Sequence, residues 1–304
     1  MGLEYNKTSQ IVLELVKDLF NLNVGDKLRS VREYVKLFDT SQGTVQNALN
    51  YLVETGGIAI DKRGSRGSFL SKFDFEIILG VIDKQHLLGC MPLPYSKRYE
   101  GLASGLSGLG KGILRFHLMY MRGSENRISR LLEGSVDYAI LSHAAALNAI
   151  NNGVKIEIAK AFGKQTFVSK HVLVKSRKYQ KDDSKPIILG VDETSLDQIE
   201  IAKILETKMN LKLKYINASL IRNYLDSGEI DATIWNYDEI KEKHLNYEYE
   251  DLKDIDELDK FTETVLVIKL NDHFTRRIIQ DEVDKEKILK IQEDVINMVQ
   301  TPVY

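Results

Sequence analysis

Cysteine, tryptophan and proline are scarce in this chain, whose 304 residues include one cysteine, one tryptophan and four prolines. The single cysteine, Cys90, has no second cysteine with which to form an internal disulfide, which favours a reducing compartment. One cysteine and six scattered histidines also lack the spacing that is typical of a zinc site. We therefore expect a cytoplasmic protein that holds no structural metal and no cofactor.

Long apolar runs are lacking too. One of the longest, Ile77 to Ile82, is interrupted by Gly80 and falls far short of the ~20 residues that cross a bilayer. The first residues, Met1 to Asn6, resemble neither a signal peptide nor a myristoylation site, so we expect no membrane association. Lys and Arg number 42 against 44 Asp and Glu, a balance typical of globular proteins, and the length suits two or three domains.

The first seventy or so residues carry the pattern of three helices followed by a hairpin. Apolar residues recur three and four positions apart from Ile11 to Leu19, which predicts a first amphipathic helix. Ser30 is placed to cap a second helix that runs to Phe38, and Ser41 is placed to cap a third. The third helix is expected to turn inward its apolar residues Val45, Ala48, Leu49 and Leu52.

The outward face of the third helix is a row of amides and hydroxyls, formed by Gln42, Thr44, Gln46 and Asn47. Such groups suit base edges, since Gln and Asn can pair bidentately with adenine. Two short strands follow at 58–60 and 68–70, and the basic loop 61–67 between them can lie against phosphate. These elements predict a winged helix-turn-helix domain.

The segment from Leu28 to Leu49 resembles the GntR family of transcription factors, with matching residues at fixed offsets and without gaps. The resemblance implies a dimer that binds double-stranded DNA, with the third helix in the major groove and Arg32 near phosphate. Gln42 and Gln46 depart from the family, which commonly carries arginines there, and Arg29 replaces a frequent proline. The candidate DNA-binding residues are Arg29, Ser30, Arg32, Ser41, Gln42, Thr44, Gln46, Asn47, Lys62, Arg63 and Arg66.

A winged helix that binds a protein instead of DNA is the alternative for this module. Residues 1–72 contain ten Lys and Arg against eight Asp and Glu, a net charge of +2 that is low for a DNA-binding domain. The positive charge is concentrated in the wing tip, however, at Lys62, Arg63 and Arg66. The mild net charge predicts weak non-specific binding and reliance on the avidity of a dimer.

From Phe73 onward, predicted strands and helices alternate, which is the pattern of an α/β domain with buried parallel strands. A first strand is expected at Ile77–Ile82, directly after the wing, and a second at Ile113–Met121. A helix over Glu125–Glu133 then leads to a third strand at Tyr138–Leu141.

An internal repeat is the most informative feature of this region, because the stretch Leu131–Ile140 is echoed by Leu225–Ile234. In each copy a helix ends at a glycine, Gly134 or Gly228, and an aspartate three positions later precedes a strand. Two similar α/β halves in one chain predict a bilobed domain with a cleft between the halves.

The chain from about 75 to 300 resembles the type II periplasmic-binding-protein architecture that serves as the effector domain of some regulators. With the GntR-like head, the whole chain resembles the YhfZ family, whose members join those two parts; the stretch Pro92–Ala103 and the motif around Gly134 carry this resemblance. It implies a winged helix-turn-helix domain at 1–72 and a bilobed effector-binding domain at 73–304. Lobe I is expected at about 73–178 and 261–304, and lobe II at about 179–260.

Ligands of open α/β sheets lie beyond the carboxyl ends of the strands, where helix N-termini present free amides. Ser and Thr at helix starts, together with Arg122 and Arg127, favour a small anionic ligand, a carboxylate or phosphate. Ser124 and Ser195 can equally serve as helix caps, and Trp235 can equally belong to the core. The candidate ligand-binding residues are Asp83, Tyr95, Ser96, Arg98, Arg122, Ser124, Asn126, Arg127, Ser142, Thr194, Ser195, Trp235 and Asn236.

Catalytic signatures are missing from the sequence. The glycine-rich stretch Gly105–Gly112 approaches a phosphate-binding loop, but Gly112 stands where the magnesium-binding hydroxyl belongs, and the stretch follows a predicted helix. We predict a homodimeric transcription regulator that senses a small anionic metabolite, and not an enzyme. The alternatives are an enzyme or a non-regulatory binder that uses the cleft, and a GntR regulator with a different effector domain.

Overall fold

Helices and strands alternate along the computed structural model, which describes residues 7–110, 113–182, 184–252 and 258–304. The chain divides into two compact units. The first contains the described residues up to Leu87, together with those of Gly110–Arg115 and Asp272–Glu282. The second contains the described residues of Leu88–Leu109, Phe116–Asn271 and Val283–Tyr304.

The helices are α1 (Lys7–Leu19), α2 (Val31–Leu37), α3 (Gln42–Glu54), α4 (Phe75–Val81), α5 (Lys97–Ser107), α6 (Ser124–Glu133), α7 (His143–Asn151), α8 (Leu196–Glu206), α9 (Ile221–Ser227), α10 (Tyr237–Glu242), α11 (Asp259–Thr262), α12 (His273–Glu282) and α13 (Lys285–Ile296). The strands are β1 (Ile58–Lys62), β2 (Ser68–Phe73), β3 (His86–Met91), β4 (Arg115–Tyr120), β5 (Tyr138–Ser142), β6 (Ile156–Ala161), β7 (His171–Lys175), β8 (Ile187–Asp192), β9 (Leu211–Ile216), β10 (Ala232–Asn236), β11 (Glu248–Asp251) and β12 (Thr264–Lys269). None of the helices in the described residues is both long and apolar enough to cross a membrane.

The first unit is a winged helix-turn-helix, as the sequence predicts. Helices α1, α2 and α3 pack around one apolar core in which Leu15, Leu19 and Leu52 are fully buried. Strands β1 and β2 pair antiparallel beside this core, with Ile58 opposite Phe73. The spacing of the apolar residues therefore determines which helix faces meet.

The segment that was predicted as the first strand of the second domain, Ile77–Ile82, is helical, so this prediction is wrong. Helix α4 is capped by Asp74, whose carboxylate accepts a 3.3 Å hydrogen bond from the backbone N–H of Ile77. Ile78 is fully buried in the core of the first unit. A short apolar run fits a buried helix as well as a strand, and here the capping aspartate favours the helix.

One helix of the first unit comes from far along the chain. The ring of Phe274, on α12, packs edge-on against Phe20 with centroids 4.6 Å apart, and Arg277 Nη1 donates a 3.3 Å hydrogen bond to Asn23 Oδ1. The sequence analysis did not predict that α12 belongs to this unit, because the spacing of its apolar residues does not show which core they pack into.

Beyond the hairpin, the described strands form two five-stranded mixed sheets with the orders β4-β3-β5-β12-β6 and β9-β8-β10-β7-β11. The two orders correspond strand for strand. In each sheet the central strand, β5 or β10, has a parallel neighbour on one side and an antiparallel neighbour on the other. This correspondence confirms the predicted bilobed architecture.

We call the first sheet with its connecting helices α5, α6 and α7 lobe I, and the second sheet with α8, α9 and α10 lobe II. Strand β7 already belongs to lobe II, so the chain first crosses between Ala161 and His171, before the position near 178 that the sequence suggests. Strand β12 lies in the sheet of lobe I, between β5 and β6, so the chain has returned to this lobe by Thr264.

The two glycines of the internal repeat lie in different lobes. Gly134 follows α6 with φ of +83°, and Gly228 follows α9 with φ of +77°. A left-handed residue beyond the last helical turn is favoured as glycine because it has no Cβ.

The two aspartates of the repeat form the same joint in each lobe. Asp137 Oδ2 accepts a 2.8 Å hydrogen bond from the backbone N–H of Leu88, and Asp231 Oδ2 accepts one of the same length from Ile188. The backbone N–H of each aspartate donates in return to the carbonyl of the same partner. Each aspartate therefore fixes the start of one strand against its parallel neighbour.

Only the first part of the glycine-rich stretch that approaches a phosphate-binding loop belongs to α5, which ends at Ser107, and residues 111 and 112 lie outside the described residues. A Cβ on Gly101 would lie 2.7 Å from Cα of Gln292, and one on Gly105 would lie 2.9 Å from Cγ2 of Ile288. Small residues thus let α5 and α13 pack closely.

Candidate functional site

The exposed face of α3 is the first candidate site. Ser41 caps the helix, because its Oγ accepts a 3.1 Å hydrogen bond from the backbone N–H of Thr44. The four apolar residues of the helix are buried, whereas Gln42, Gln46 and Asn47 are exposed and Thr44 is partly exposed. This is the arrangement that was predicted from the alternation of polar and apolar residues.

The side-chain amides on this face differ in whether they already form a hydrogen bond within the protein. Gln46 Nε2 donates a 3.0 Å hydrogen bond to Asn50 Oδ1, one helical turn further along. Gln42 makes no side-chain hydrogen bond to any part of the chain that the structure describes. The Gln42 amide can therefore form new hydrogen bonds without first breaking one.

The candidates at the start of α2 have structural roles of their own. Ser30 and Glu33 form a capping box, in which Ser30 Oγ accepts from the Glu33 N–H at 3.3 Å and Glu33 Oε2 accepts from the Ser30 N–H at 2.7 Å. These hydrogen bonds lower the pKa of the Glu33 carboxyl. Arg29 forms a 3.1 Å ion pair with Asp18, which raises the pKa of its guanidinium.

Arg29 apart, the cations among the predicted DNA-binding residues fall into two groups. Arg63 in the wing forms a 2.7 Å ion pair with Asp61 and lies over the ring of Phe69, 4.4 Å from its centroid. The others are exposed and form no ion pair with the described residues; these are Arg32, Lys62 and Arg66.

The second candidate site is a cavity of about 410 Å³ between the two lobes, within the ~300–1,000 Å³ range of small-molecule sites. Nine of the thirteen predicted ligand-binding residues line it: Tyr95, Arg122, Ser124, Arg127, Ser142, Thr194, Ser195, Trp235 and Asn236. Their location follows the rule that was used to choose them, because most of them stand where a strand ends or a helix begins.

The remaining four candidates do not line this cavity. Asp83 follows α4 in the first unit, because the predicted strand before it is a helix. Ser96 caps α5 by accepting from the Tyr99 N–H at 3.4 Å. Arg98 forms a 3.0 Å ion pair with Asp238 and also donates to the carbonyl of Gln165.

Asn126 completes this set. Its Nδ2 donates a 3.1 Å hydrogen bond to the carbonyl of Arg122, so its amide supports the loop before α6 and does not face the cavity.

Arg127 places a buried charge at the cavity. The residue is 5% exposed, and its Nε and Nη1 donate to the carbonyls of Ile140 and Met121 at 3.0 and 2.8 Å. No carboxylate of the described residues lies within ion-pairing distance of it. Burial consequently lowers the pKa of the guanidinium. An uncompensated buried cation is costly, and an anion in the cavity would relieve this cost.

Gly123, before α6, brings lobe I close to lobe II. It has φ of +77° and offers no side chain to cap the helix. A Cβ at this position would lie 3.2 Å from Cβ of Thr194. The first amides of α6 therefore start uncapped at the edge of the cavity, where a helix N-terminus favours negative charge.

The carboxylates of the cavity accept hydrogen bonds from neighbouring protein groups. Asp197 Oδ1 accepts from Ser142 Oγ at 2.6 Å, and burial raises the pKa of Asp197 to about 6. Asp192 accepts from the N–H and hydroxyl of Thr194 at 3.0 and 2.9 Å. Glu239 accepts from Trp235 Nε1 at 2.8 Å and from Lys243 Nζ at 2.6 Å.

Two polar atoms at the cavity wall are buried without a hydrogen-bond partner among the described residues. They are Nδ2 of Asn236 and Nδ1 of His171, residues that face each other across strands β10 and β7. Burial lowers the pKa of His171 to about 4, so the imidazole is neutral at pH 7.

Several lining residues were missed from the sequence. Tyr99 lies in the first turn of α5 and Asp197 in the first turn of α8, so the rule that ligands lie near helix starts beyond strand ends could have found both. His171 follows the first crossing between the lobes, which has no signal in the local sequence. The described residues also contain no group of three His, Cys, Asp or Glu side chains that could hold a metal ion.

A helix-turn-helix domain joined to a two-lobed domain with a cleft defines a class of DNA-binding proteins with a binding-protein-like second domain. Residues 23–70 match the family model of a helix-turn-helix domain, and residues 74–304 match that of the YhfZ C-terminal domain. The chain belongs to the YhfZ family. This membership and the helix-turn-helix domain indicate a DNA-binding regulator, and neither match is to an enzyme family.

Two relatives and one further solved structure bear on this conclusion. The chain is 30% identical to the YhfZ protein of Escherichia coli strain K12 over 299 residues, which are 98% of each chain. It is similar to the crystal structure of YhfZ from Shigella flexneri, with a TM-score of 0.64 and 29% identity over 75% of this chain and 97% of that chain. A similarity of fold links it to the substrate binding protein of a methionine transporter from Streptococcus pneumoniae, with a TM-score of 0.50 and 16% identity over 72% and 96% of the two chains.

Proposed function

We propose that this protein is a homodimeric bacterial transcription regulator that binds operator DNA in the manner of the GntR family and responds to a small anionic metabolite. The observation that carries the proposal is the presence, on one chain, of an exposed polar face on α3 and of a two-lobed cavity with a buried unpaired guanidinium. A protein that reads operator DNA works in the compartment that holds the DNA, so we propose a cytoplasmic location.

In this proposal the exposed face of α3 contacts base edges. Gln42 can bind a base directly, because its amide makes no hydrogen bond within the described residues. Gln46 can bind a base after its hydrogen bond to Asn50 breaks. Thr44 and Asn47 contribute from the same face. Arg32, Lys62 and Arg66, which form no ion pair with the described residues, contact phosphates. Arg29 and Arg63 can contact phosphate only by exchanging their carboxylate partners for it.

The charge of the cavity lining supports an anionic ligand. Glu239 and Lys243 neutralise each other. The other charged residues of the lining are Arg122, Arg127, Arg222, Asp192 and Asp197, which leaves one positive charge in excess. A monoanion would balance this excess, and the buried guanidinium of Arg127 with the uncapped start of α6 is the best place for it.

Closure of the lobes is the step that would couple the ligand to DNA. Beside the bond between Ser142 and Asp197, the Lys97 N–H at the start of α5 donates a 2.7 Å hydrogen bond to Glu242 on α10. Contacts of this kind form only between closed lobes, so a ligand that binds the closed form more tightly shifts the population toward it. The difference in affinity between the two forms is the coupling free energy. The cleft acts here as a sensor, and no reaction is assigned to it.

The test is a binding measurement with DNA selected from a random pool by the full-length protein. Gln42→Ala should lose about 1–3 kcal/mol of discrimination at one base position. Gln10→Ala, an exposed glutamine on α1, should bind like the wild type. An equal loss on every DNA sequence would contradict base recognition by Gln42. Small carboxylates and phosphates added to the complex should change its affinity and be recovered unchanged, whereas their consumption would favour an enzyme.

A further inference from the structure

Asn236 carries a hydrogen-bond donor that the fold leaves unused. The residue is 7% exposed and lines the cavity from lobe II. Its Nδ2 is buried and has no hydrogen-bond partner among the described residues. Native structures pair nearly all buried polar groups, so an unpaired donor in a cavity wall indicates where a ligand acceptor would lie.

The cap that Asn236 forms at the end of β10 shows which atom of its amide is unused. Its Oδ1 accepts a 2.9 Å hydrogen bond from the backbone N–H of Asp238 and thereby caps α10. Only the oxygen of the amide can accept this bond, so the group on the other side must be the NH₂ donor. The cap therefore fixes which atom of Asn236 is left over.

The opposite lobe provides a donor of a different kind. Arg127 uses Nε and Nη1 on two carbonyls and leaves Nη2 without a partner among the described residues. Lobe I thus offers the cavity a charged donor, and lobe II offers it a neutral one. A ligand that satisfies both must carry two acceptor groups and span the cleft.

The two acceptor groups need different charges. Asp238 and Glu239 stand two and three positions after Asn236 on α10, and Glu239 lines the cavity. Their carboxylates already take up the charges of Arg98 and Lys243, so these two cations are not free to balance a second negative group at Asn236, whereas a carbonyl or hydroxyl oxygen needs no such charge. His171, which faces Asn236 across the sheet, has an unpartnered Nδ1 and is neutral, so it too suits an uncharged polar group.

The negative end is limited to a single charge. One positive charge is in excess in the lining, and a phosphate monoester would bring about −1.5 to −2 at pH 7. The lining of the cavity also contains apolar residues, which are Pro92, Leu93, Phe167, Val168 and Trp235. A short carbon chain suits this apolar part of the lining.

We propose that the ligand of the cleft is a short monocarboxylate with a neutral oxygen at its far end, bound by Arg127 through the carboxylate and by Asn236 through that oxygen. This inference rests on the proposed function, because it assumes that the cleft holds a small anion. Since the two contacts come from different lobes, both can form only in the closed domain. The neutral oxygen is then the group that the protein uses to recognise its ligand and to close on it.

The experiment uses calorimetric titration of the full-length protein with chain-matched probes. Each set has a plain alkanoate, the oxo acid with a ketone next to the terminal methyl, and the dicarboxylate, in four-, five- and six-carbon versions; the six-carbon set is hexanoate, 5-oxohexanoate and adipate. At the best chain length the oxo acid should bind about tenfold more tightly than the alkanoate, as one satisfied buried hydrogen bond would give. The dicarboxylate should bind no more tightly than the alkanoate.

The decisive variant is Asn236→Asp. Aspartate is an equally good helix cap, so α10 stays capped while the donor is lost. The added charge weakens both probes alike, and the ratio of their Kd values should therefore fall to about one. Asn217→Asp makes the same change at a capping residue that does not line the cavity and should keep the wild-type ratio.

The outcomes separate this inference from the proposed function. An unchanged ratio in Asn236→Asp would overturn the inference and leave an anion-binding cleft intact. If no probe bound to the wild type, or if Arg127→Gln bound all probes as tightly as the wild type, the proposed anionic effector itself would be wrong.

Discussion

The hydroxyl of Ser142 in lobe I donates a 2.6 Å hydrogen bond to Oδ1 of Asp197 in lobe II. Ser142 also caps α7 by accepting from the Ala145 N–H, so its position is fixed from the side of lobe I. Burial raises the pKa of Asp197 to about 6, because the surroundings disfavour the carboxylate. The contact between the lobes is therefore sensitive to pH.

Replacing Asp197 by Asn should change the pH dependence of stability. In the native state Asp197 binds its proton up to about pH 6, whereas in the unfolded state it releases it near its ordinary value of 3.8. The native state thus holds the extra proton, and wild-type stability falls as pH rises between these values. The free energy of unfolding of Asp197→Asn, relative to wild type, should rise by about 1–3 kcal/mol across that interval. Urea titrations at pH 4.5, 5.5 and 6.5 would measure it.

His171→Gln is the matched variant, because its effect has the opposite sign. The pKa of His171 is lowered to about 4 from its ordinary 6.5, so the native state binds fewer protons and loses stability as pH falls through this range. The free energy of unfolding of His171→Gln, relative to that of the wild type, should therefore rise as the pH falls from 6.5 to about 4. Parallel curves for both variants and the wild type would contradict these assignments.

Removing either aspartate of the repeat should lower the free energy of unfolding by a similar amount, because the two form the same hydrogen bonds in their lobes. Asp137→Ala and Asp231→Ala each remove a carboxylate that accepts a 2.8 Å hydrogen bond from the neighbouring strand. Each should lower the free energy of unfolding by about 1–3 kcal/mol, the usual cost of losing a hydrogen bond to a charged group. Glu229, two positions before Asp231, provides the control, because Glu229→Ala removes only an exposed ion pair with Lys214. This variant should lower the free energy of unfolding by about 0–1 kcal/mol. A cost for Asp231→Ala no larger than that for Glu229→Ala would exclude the joint as a stabilising element.

Gly123→Ala should impair closure more than stability. Gly123 and Gly153 both have a positive φ, +77° and +79°, so alanine strains the backbone at either position. A Cβ on Gly153 would have nothing within 4 Å, whereas one on Gly123 would lie 3.2 Å from Cβ of Thr194. Both variants should lose about 1–2 kcal/mol of stability, and only Gly123→Ala should lose compaction on ligand binding in small-angle scattering. The same scattering response in both variants would mean that the approach to Thr194 is not needed.

The cations of the wing should differ in their effect on DNA binding. Lys62 and Arg66 are exposed and form no ion pair with the described residues, whereas Arg63 is held by Asp61. Lys62→Ala or Arg66→Ala should each reduce the slope of log Kd against log salt by about 1, the value for one phosphate contact. Arg63→Ala should change it less, because this residue gives up an existing partner to reach phosphate. A larger change for Arg63→Ala would reverse the proposed roles.

The helix-turn-helix was predictable because its signals are local. Ser30 and Ser41 each begin a helix that they cap, and the three- and four-residue spacing from Ile11 to Leu19 defines the buried face of α1. The bilobed fold was predictable because its signal is repeated: the glycine and aspartate of one lobe recur in the other. The apolar run Ile77–Ile82 fits a buried strand or a buried helix equally well. Its packing and its capping aspartate make it a helix, so the predicted strand is wrong.

The candidate site was partly predictable for the same reason. Ser124, Thr194 and Ser195 stand beside strand ends, and the general rule for α/β sheets locates such residues at the cavity. Arg98 stands at a similar position but forms an ion pair with Asp238, which is 140 positions away in the chain. Sequence alone does not reveal this distant partner, or that Asp197 lies opposite Ser142.

The contact of Phe274 with Phe20 determines how the winged helix can be produced as a separate fragment or exchanged between proteins. A fragment that stops before residue 88 would lack α12 and would leave the ring of Phe20 open to water on one side. Such a fragment should be soluble only poorly, and it should unfold at a lower temperature than the same region within the whole chain. An exchange of this head with that of another protein would therefore have to carry α12 along, a piece of sequence from far along the chain.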